Sequence, residues 1–586
     1  MNYKLKTSED NSEEQSIWTA VKKMSSLLAV ERRNIYISLI AIFINAGMTL
    51  IGPILVGYTV DNYVVVGDYH GVLIFSSILF GVYVFALLAS YVQTRVMGAV
   101  GQRTLFRLRN EVFTKLQELP LSFFNQNKTG DLISRINNDT DKLNQFFSRT
   151  LMQFTASAFT IVGAGIFIVV INYKLGIAAL LPAVFLLVIT KLMSKWIKNI
   201  NLSSLRAEGG LSSEIQESLE NFKVIVAFNR RDYFKKKFGI ANFTNFKASI
   251  KAALGNNVFM PIYDFASNIA QLIVLVYGIY LISINELEIG ILISFLLYIA
   301  RFYDPLRQFA SFWSTLQIAL AGFERISEIT RLKSDLVVTE SVVNTGDNSV
   351  LKFENVSFKY PEGEHVLNNV NFSLVEGKTY ALVGPTGGGK TTTASLMARL
   401  FDPTKGSIYL LGKDIRSYTP EERTDNIGFI LQEPFIFQGN VRDNIIYGNT
   451  KYTDISIDNL TALLKDEGLE KLLERFDEGL MTKVSGNSDA MSLGQKQLIA
   501  FMRAVLRHPK LLILDEASAN IDTVTEQLLE EILLKLPKET TKVIIAHRLN
   551  TIENADEIFF INGGEITPAG SMEHAVDMLL HNKRTS

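Results

Sequence analysis

The run GPTGGGKTT, Gly384 to Thr392, carries the most specific chemistry in the chain. It follows the strand-like run TYALV and precedes the helix-like run TASLMARL, the setting that a phosphate-cradling loop requires. Gly384, Pro385, Thr386, Gly387, Gly388 and Gly389 let the backbone turn its N–H groups toward phosphates. Lys390 can neutralise the outer phosphates, and Thr391, followed by Thr392, brings a hydroxyl to the helix N-terminus that can ligate magnesium. The bland reading is a chance glycine-rich turn, against which the Lys-Thr pair and both flanks speak. Downstream, LLILDE from Leu511 to Glu516 reads as a buried strand ending in two acids. Asp515 suits the magnesium shell and Glu516 suits polarising an attacking water; alone, such a strand end is common.

Around these motifs, the region from about 351 to 570 resembles the ATP-binding-cassette family, with the family's motifs in the family's order. The resemblance implies that Tyr360 in FKY stacks on adenine and that Gln432 in ILQEP helps arrange magnesium with Thr391 and Asp515. It also implies that SANID, Ser518 to Asp522, is the D-loop with Asp522 at its end, and that His547 in IIAHRL contacts the γ-phosphate. Glu516, His547 and Gln432 are then the catalytic set, and ATP with Mg2+ the cofactors. Each residue taken singly has a duller reading as a core aromatic, surface amide, turn acid or satisfied histidine; the joint order argues for function.

The family's LSGGQ signature is matched here by MSLGQ, Met491 to Gln495. Ser492, Leu493, Gly494 and Gln495 would act on nucleotide held by a second ATPase domain, and Leu493 in place of glycine should obstruct close backbone approach. The preceding TKVSGNSDA departs from the usual TEVGERG. An intact phosphate loop beside an altered signature resembles heterodimeric exporters, implying a different partner chain with an intact signature. A tolerated variant in a homodimer is the alternative.

The elements around the motifs are set by length and hydropathy. The chain has 586 residues, enough for two or more domains, of which 48% are hydrophobic and 20% charged. Crossing a membrane needs about 20 apolar residues at helical rise. Six such runs lie near 34–60, 72–97, 150–171, 174–196, 258–284 and 287–312. Short connections alternate with long polar stretches at 98–149 and 197–257. The long ones carry Arg103, Arg107, Arg109, Lys115, Arg230, Arg231 and Lys235 to Lys237, which assigns them to the cytosolic side. Leu105, Leu108, Val112, Phe113 and Leu116 recur at helical spacing, so these stretches read as helical stalks. Within them, Ser122 to Ile136 and Ser218 to Phe234 sit where the family places coupling helices that dock on ATPase domains; plain polar helix turns are the alternative.

Polar residues are few inside the apolar runs. Asn45, Asp264, Gln271 and Arg301, with the aromatic Tyr298, are candidates for a substrate cavity, while structural pairing among Asp264, Arg301 and Asp304 explains the charges equally well. Ser16 to Val30 reads either as an amphipathic helix on the membrane surface or as an exposed lead-in. The polar N-terminus shows no signal core. The absence of cysteine excludes disulfides and thiol chemistry, and a net charge of −1 argues against nucleic acid as a partner.

The expected architecture is an all-α six-helix transmembrane domain joined to an α/β P-loop ATPase domain. Its parts are a cytosolic segment with an elbow helix (1–33), the transmembrane domain (34–330), a linker (331–350) and the ATPase domain (351–586). The resemblance implies an ATP-driven exporter half in the cytoplasmic membrane of a bacterium. Its expected partners are the second half, the lipid bilayer and small hydrophobic or cationic substrates of the multidrug type. Peptide or lipid export is the alternative substrate reading, and an ATP-gated regulatory or channel-like subunit is the alternative of another class.

Overall fold

Apolar runs longer than a core helix needs become long continuous helices. The computed structural model describes residues 3–5, 24, 27–336, 338–339, 349–361, 363–432, 434–484, 491–515, 523–545 and 553–581. Through residue 331 its helices include α1 (Arg32–Thr59), α2 (Tyr69–Glu118), α3 (Leu121–Gln126), α4 (Leu151–Ile171), α5 (Tyr173–Glu220), α6 (Phe222–Ala227), α7 (Arg231–Asn257), α8 (Phe259–Ser283) and α9 (Ile289–Arg331). The six expected spans overlap α1, α2, α4, α5, α8 and α9, and among the described residues six helices are long and apolar enough to cross a membrane. The stalk expectation holds as well: α2 and α5 are 50 and 48 residues long, well beyond what a bilayer requires. Upstream of α4 the chain is helical from Thr129 and includes two five-residue π turns, Arg135–Asp139 and Phe146–Thr150. Of the expected elbow helix, Met24, Leu27 and the 3-10 turn Leu28–Glu31 are described and the rest lies outside the described residues, as do 337 and 340–348 of the expected linker.

Two compact units emerge, and the membrane helices form one of them. Its core joins Leu50, Ala164, Ile168, Leu175, Ala179, Ala270, Val274, Phe295 and Tyr298. Small residues at the seams let the helix backbones approach closely. At the α1–α9 seam a Cβ on Gly57 would stand 2.4 Å from the Gly290 carbonyl oxygen, and the Asp61 carboxylate accepts from the Gly290 N–H at 2.5 Å. The Ser294 hydroxyl donates to the Pro53 carbonyl at 2.8 Å on the same seam. The α4–α5 hairpin turns in a single residue, Asn172, whose side chain caps α5 by accepting from Leu175 N–H.

A charge cluster built on the buried Arg135 and Asp139 ties the 129–145 helical run to α9. Arg135, 1% exposed, donates to Asp131, to Glu328 at 2.7 Å and to the Arg325 carbonyl. Arg325 reaches Asp131 and the buried Asp139, and Lys142 also reaches Asp139. Opposite charges hydrogen-bonded on several sides are the arrangement in which desolvating them is tolerable.

The second unit takes in the described residues of 1–5, 118–128 and 332–586. Its main sheet runs β12-β11-β3-β10-β9-β6, parallel except for the β11/β12 pair. The strands are β3 (Thr379–Val383), β6 (Ile427–Ile430), β9 (Leu511–Asp515), β10 (Thr541–Ile545), β11 (Glu557–Asn562) and β12 (Glu565–Pro568). Strands β3 and β9 are nearly continuous apolar runs, as a parallel sheet covered on both faces demands. A second, antiparallel sheet of order β2-β1-β4-β5 is built from β1 (Ser349–Lys359), β2 (His365–Val375), β4 (Lys405–Leu410) and β5 (Lys413–Asp414), and a short antiparallel ribbon pairs β7 (Gly439–Asn440) with β8 (Lys483–Val484).

Candidate functional site

Parallel register decides which residues meet. Ile545 at the end of β10 pairs with Asp515 of β9 on one side and with Leu382 of β3 on the other. Leu514 of β9 pairs in turn with Ile430 of β6. The carboxyl ends of β3, β9, β10 and β6 therefore line one edge, which is where ligands bind in open α/β sheets. From that edge emerge the Gly384 loop, Asp515 and, after β6, Gln432. Glu516 and His547 follow β9 and β10 in sequence and lie outside the described residues, as do Ser518 to Asp522.

The loop from Gly384 to Gly389 hands the chain from β3 to the helix α10, Lys390–Met397. Gly387 and Gly389 have φ of +81° and +112°, a region side chains rarely adopt. Space, not conformation, dictates glycine at 388, because a Cβ there would stand 2.6 Å from the Ile561 carbonyl oxygen and 3.0 Å from that of Pro385. Gly389 caps α10 without a side-chain hydrogen bond, which leaves the N–H groups of the first turn for an anion. Lys390 is 6% exposed and its Nζ donates to the carbonyls of Gly384 at 2.8 Å and Pro385 at 3.1 Å. Thr391 is exposed at the mouth of the loop, whereas Thr392 and Thr393 are buried beneath it.

Tyr360 follows β1 and reaches the same loop: its hydroxyl lies 3.2 Å from the Thr392 hydroxyl. Edge-to-face packing on Phe358 at 5.0 Å and Phe401 at 5.5 Å holds the ring there. Asp515 is 3% exposed at the end of β9, and Gln432 is exposed. The hydroxyl, carboxylate and amide oxygens of Thr391, Asp515 and Gln432 are hard donors of the kind magnesium takes, and the open cradle above Gly388 and Gly389 fits a phosphate chain. These residues fit Mg-ATP.

The altered signature lies elsewhere on the unit. Ser492 caps helix α11 (Leu493–Val505) through a reciprocal pair: its hydroxyl accepts from Gln495 N–H at 3.2 Å, and its own N–H donates to Gln495 Oε1 at 3.1 Å. Leu493 is the first helical residue and is half-buried, and a Cβ on Gly494 would meet only the Ser492 hydroxyl at 3.8 Å. Of the departing segment 482–490, residues 485–490 lie outside the described residues. Sequence reading passed over Arg503, ten residues into α11. Its guanidinium donates to the Asn444 and Phe435 carbonyls and lies over the Tyr447 ring at 5.4 Å, pinning the stretch that follows Gln432. Burial pushes Arg503 below its usual range; arginine starts so high that the charge remains.

Of the two expected coupling segments, the first is divided: residues 118–128 pack with the ATPase unit and 129–136 with the membrane helices. Pro120 and Ser122 line a groove there with Phe358, Leu400, Phe401 and Asp402. The second segment, at α6, buries Ile225 and leaves Phe222, Val224 and Phe228 at 56%, 54% and 75% exposure.

Among the candidate cavity residues, Asn45 and Gln271 are half-buried, and Asp264 and Arg301 are exposed on the single chain. Tyr298, expected at the cavity, is instead fully buried in the α1–α9 seam, where its hydroxyl donates to the Leu50 carbonyl and its ring stacks on Phe167. The reason is physical: a tyrosine on an apolar helix serves a seam whenever a carbonyl lies within reach of its hydroxyl.

Two family models match the chain, the ABC transporter transmembrane region over residues 35–306 and the ABC transporter domain over 367–519. The uncharacterized ABC transporter ATP-binding protein YfiC of Bacillus subtilis is 32% identical over 95% of this chain and 92% of its own length. A fatty acid ABC transporter ATP-binding/permease protein of Mycobacterium bovis is 31% identical, covering 83% of this chain and 77% of its own. A multidrug resistance ABC transporter ATP-binding and permease protein of Lactococcus lactis is 29% identical, covering 85% and 84%. With its membrane-spanning helices and its ATP-binding domain in one polypeptide, the chain belongs to the ABC transporter family, as an exporter-type half-transporter that hydrolyses ATP.

Proposed function

We propose that this chain is one half of a heterodimeric exporter of hydrophobic or amphiphilic compounds, with its ATPase domain in the cytosol and hydrolysis at the site built on its own phosphate loop. The single observation behind the heterodimer is the contrast between a complete nucleotide loop and a signature in which Leu493 begins helix α11. A branched side chain at the first helical position should obstruct close approach of a facing phosphate to the helix N-terminus, so in this reading the chain serves a partner's nucleotide poorly.

In this reading, the N–H groups at the start of α10 and Lys390 grip the triphosphate. Lys390 exchanges the Gly384 and Pro385 carbonyls for phosphate oxygens, and Tyr360 stacks on the base. Glu516 orients the attacking water, and His547 donates to the γ-phosphate as negative charge gathers there. Magnesium held by Thr391, Asp515 and Gln432 would neutralise charge on the phosphates. Motion leaves the ATPase domain through the coupling segments; the exposed Phe222 and Val224 of α6 and Phe228 just after it suit the ATPase domain of the second half. The domain division at 34, 331 and 351 belongs to the same reading, and Asn45, Asp264, Gln271 and Arg301 remain its candidates for the substrate path.

Hydrophobic drugs are the first substrate choice, following the Lactococcus lactis relative's description. The Mycobacterium bovis relative's description favours a second, fatty acid cargo. Purifying the chain alone in nanodiscs tests the partner. Little turnover alone, and turnover restored by a second half with an intact signature, is the expected result; brisk ATPase activity in a homogeneous homodimer overturns it. A panel of dyes and fatty acids in inside-out vesicles then separates the two cargoes.

A further inference from the structure

In the short piece Tyr3–Leu5, Tyr3 is 1% and Leu5 7% exposed with Lys4 exposed between them, and the piece belongs with the ATPase unit. Its backbone is read by two side chains around the end of α3. Tyr3 N–H donates to Gln126 Oε1 at 2.8 Å. Asn127 takes the next two backbone groups together, its Oδ1 accepting from Leu5 N–H at 2.9 Å and its Nδ2 donating to the Tyr3 carbonyl at 3.0 Å. The same Nδ2 donates to the Phe123 carbonyl at 2.7 Å, which fixes the amide's orientation.

The Tyr3 side chain makes a second set of contacts. Its ring packs edge-to-face on the fully buried Phe123, with centroids 6.4 Å apart. Its hydroxyl donates to the Lys333 carbonyl at 3.1 Å and accepts from Asp335 N–H at 2.8 Å. One residue thus connects α3 to the chain that leads into the ATPase strands. Burial and the neighbouring Asp335 push its pKa up to about 12, so the hydroxyl keeps the proton it donates throughout the physiological range.

We propose that Tyr3–Leu5 is a standing clasp that binds the first coupling segment to the chain entering the ATPase domain, with Tyr3 and Asn127 as positioning residues for coupling. The clasp uses no nucleotide contact, so it stays closed with or without ATP. Residues 118–128 consequently move as part of the ATPase domain, and a domain movement driven by ATP reaches α3 without slip. Opening the clasp leaves the nucleotide site whole and lets α3 lag behind. This rests on the exporter reading and on α3 as a coupling segment; the clasp's persistence does not.

The test uses the complete transporter in nanodiscs and proteoliposomes. Amide hydrogen exchange at Tyr3 and Leu5 is expected to be slow and equal without nucleotide and with a non-hydrolysable ATP analogue. Asn127→Ala is expected to speed exchange at Leu5 by about tenfold, as loss of a buried hydrogen bond does. Asn127→Ala and Tyr3→Ala are expected to lower transport per ATP hydrolysed at least about threefold while unstimulated ATPase activity holds. Tyr3→Phe keeps the ring and the α3 contacts but loses both hydroxyl bonds, and is expected to fall between these and the unaltered protein. Protection lost on nucleotide binding overturns the standing clasp. Faster exchange in Asn127→Ala with transport per ATP unchanged overturns its part in coupling. If the unaltered complex transports nothing, the exporter reading fails while the exchange measurements still judge the clasp. If Tyr3→Ala does not assemble, Asn127→Ala and Tyr3→Phe decide alone.

Discussion

Gly388→Ala should cripple ATP binding while Gly387→Ala, one residue earlier in the same loop, should not. At 388 the added carbon would stand 2.6 Å from the Ile561 carbonyl oxygen, about 0.7 Å inside the ~3.3 Å at which carbon and carbonyl oxygen rest. Ile561 is fully buried in β11, which pairs with β3 over Glu557–Phe560 and with β12 at Ile561 itself, so the loop must move and not the strand. A shift of that size stretches a 2.9 Å hydrogen bond to about 3.6 Å, which is no longer one. Losing a single amide-to-phosphate bond costs about 1.5–3 kcal/mol because the acceptor is charged, or roughly ten- to a hundredfold in affinity. Gly387 has φ of +81° and nothing within 4 Å of its added carbon. Its strain, ~1–2 kcal/mol, exists with and without nucleotide and so largely cancels from binding. Titration of both variants with a fluorescent ATP analogue, with thermal melts as controls, reads the difference. Unchanged affinity in Gly388→Ala, or a larger loss in Gly387→Ala, refutes the packing argument.

Glu516→Gln should retain ATP binding and lose about 10²- to 10³-fold in steady-state turnover, the range for removing one catalytic polar group; a phosphate-release assay decides, and near-normal turnover removes Glu516 from its role. Arg135→Ala removes the buried cation shared by Asp131 and Glu328, but Asp131 keeps Arg325 and both acids reach solvent, so stability in a detergent melt should fall by about 1–3 kcal/mol. Tyr298→Phe removes only the hydroxyl bond to Leu50, so it should cost ~1 kcal/mol and leave the dye-transport spectrum unchanged; an altered spectrum would return Tyr298 to the substrate path.

The sequence was most legible where one local pattern admits one structure. Twenty apolar residues in a row have few options besides a membrane helix, and a strand, a glycine loop and Lys-Thr in succession announce a phosphate cradle. Legibility failed where function or stability depends on residues far apart in the chain. Nothing near Arg135 in sequence marks Glu328 as its partner 193 residues on, or Arg325 as a second cation bridging the same acids. Tyr298 failed for a related reason: an aromatic on an apolar helix looks the same whether it faces a cavity or a seam. Tyr3 sits in a polar segment whose composition says only that it does not cross a membrane, and its burial follows from an asparagine at 127.

The two π turns ahead of α4 bear on how this protein can change length. Each wide turn accommodates one residue more than the surrounding helix needs. Removing one residue from Phe146–Thr150 would therefore relax that turn into ordinary helix and leave the lipid-facing and inward-facing sides of α4 in phase. The same deletion inside α4 would swing everything beyond it by about 100° and bring polar atoms toward the hydrocarbon. These turns are thus the places where evolution or an engineer can shorten the rod without rotating its far end.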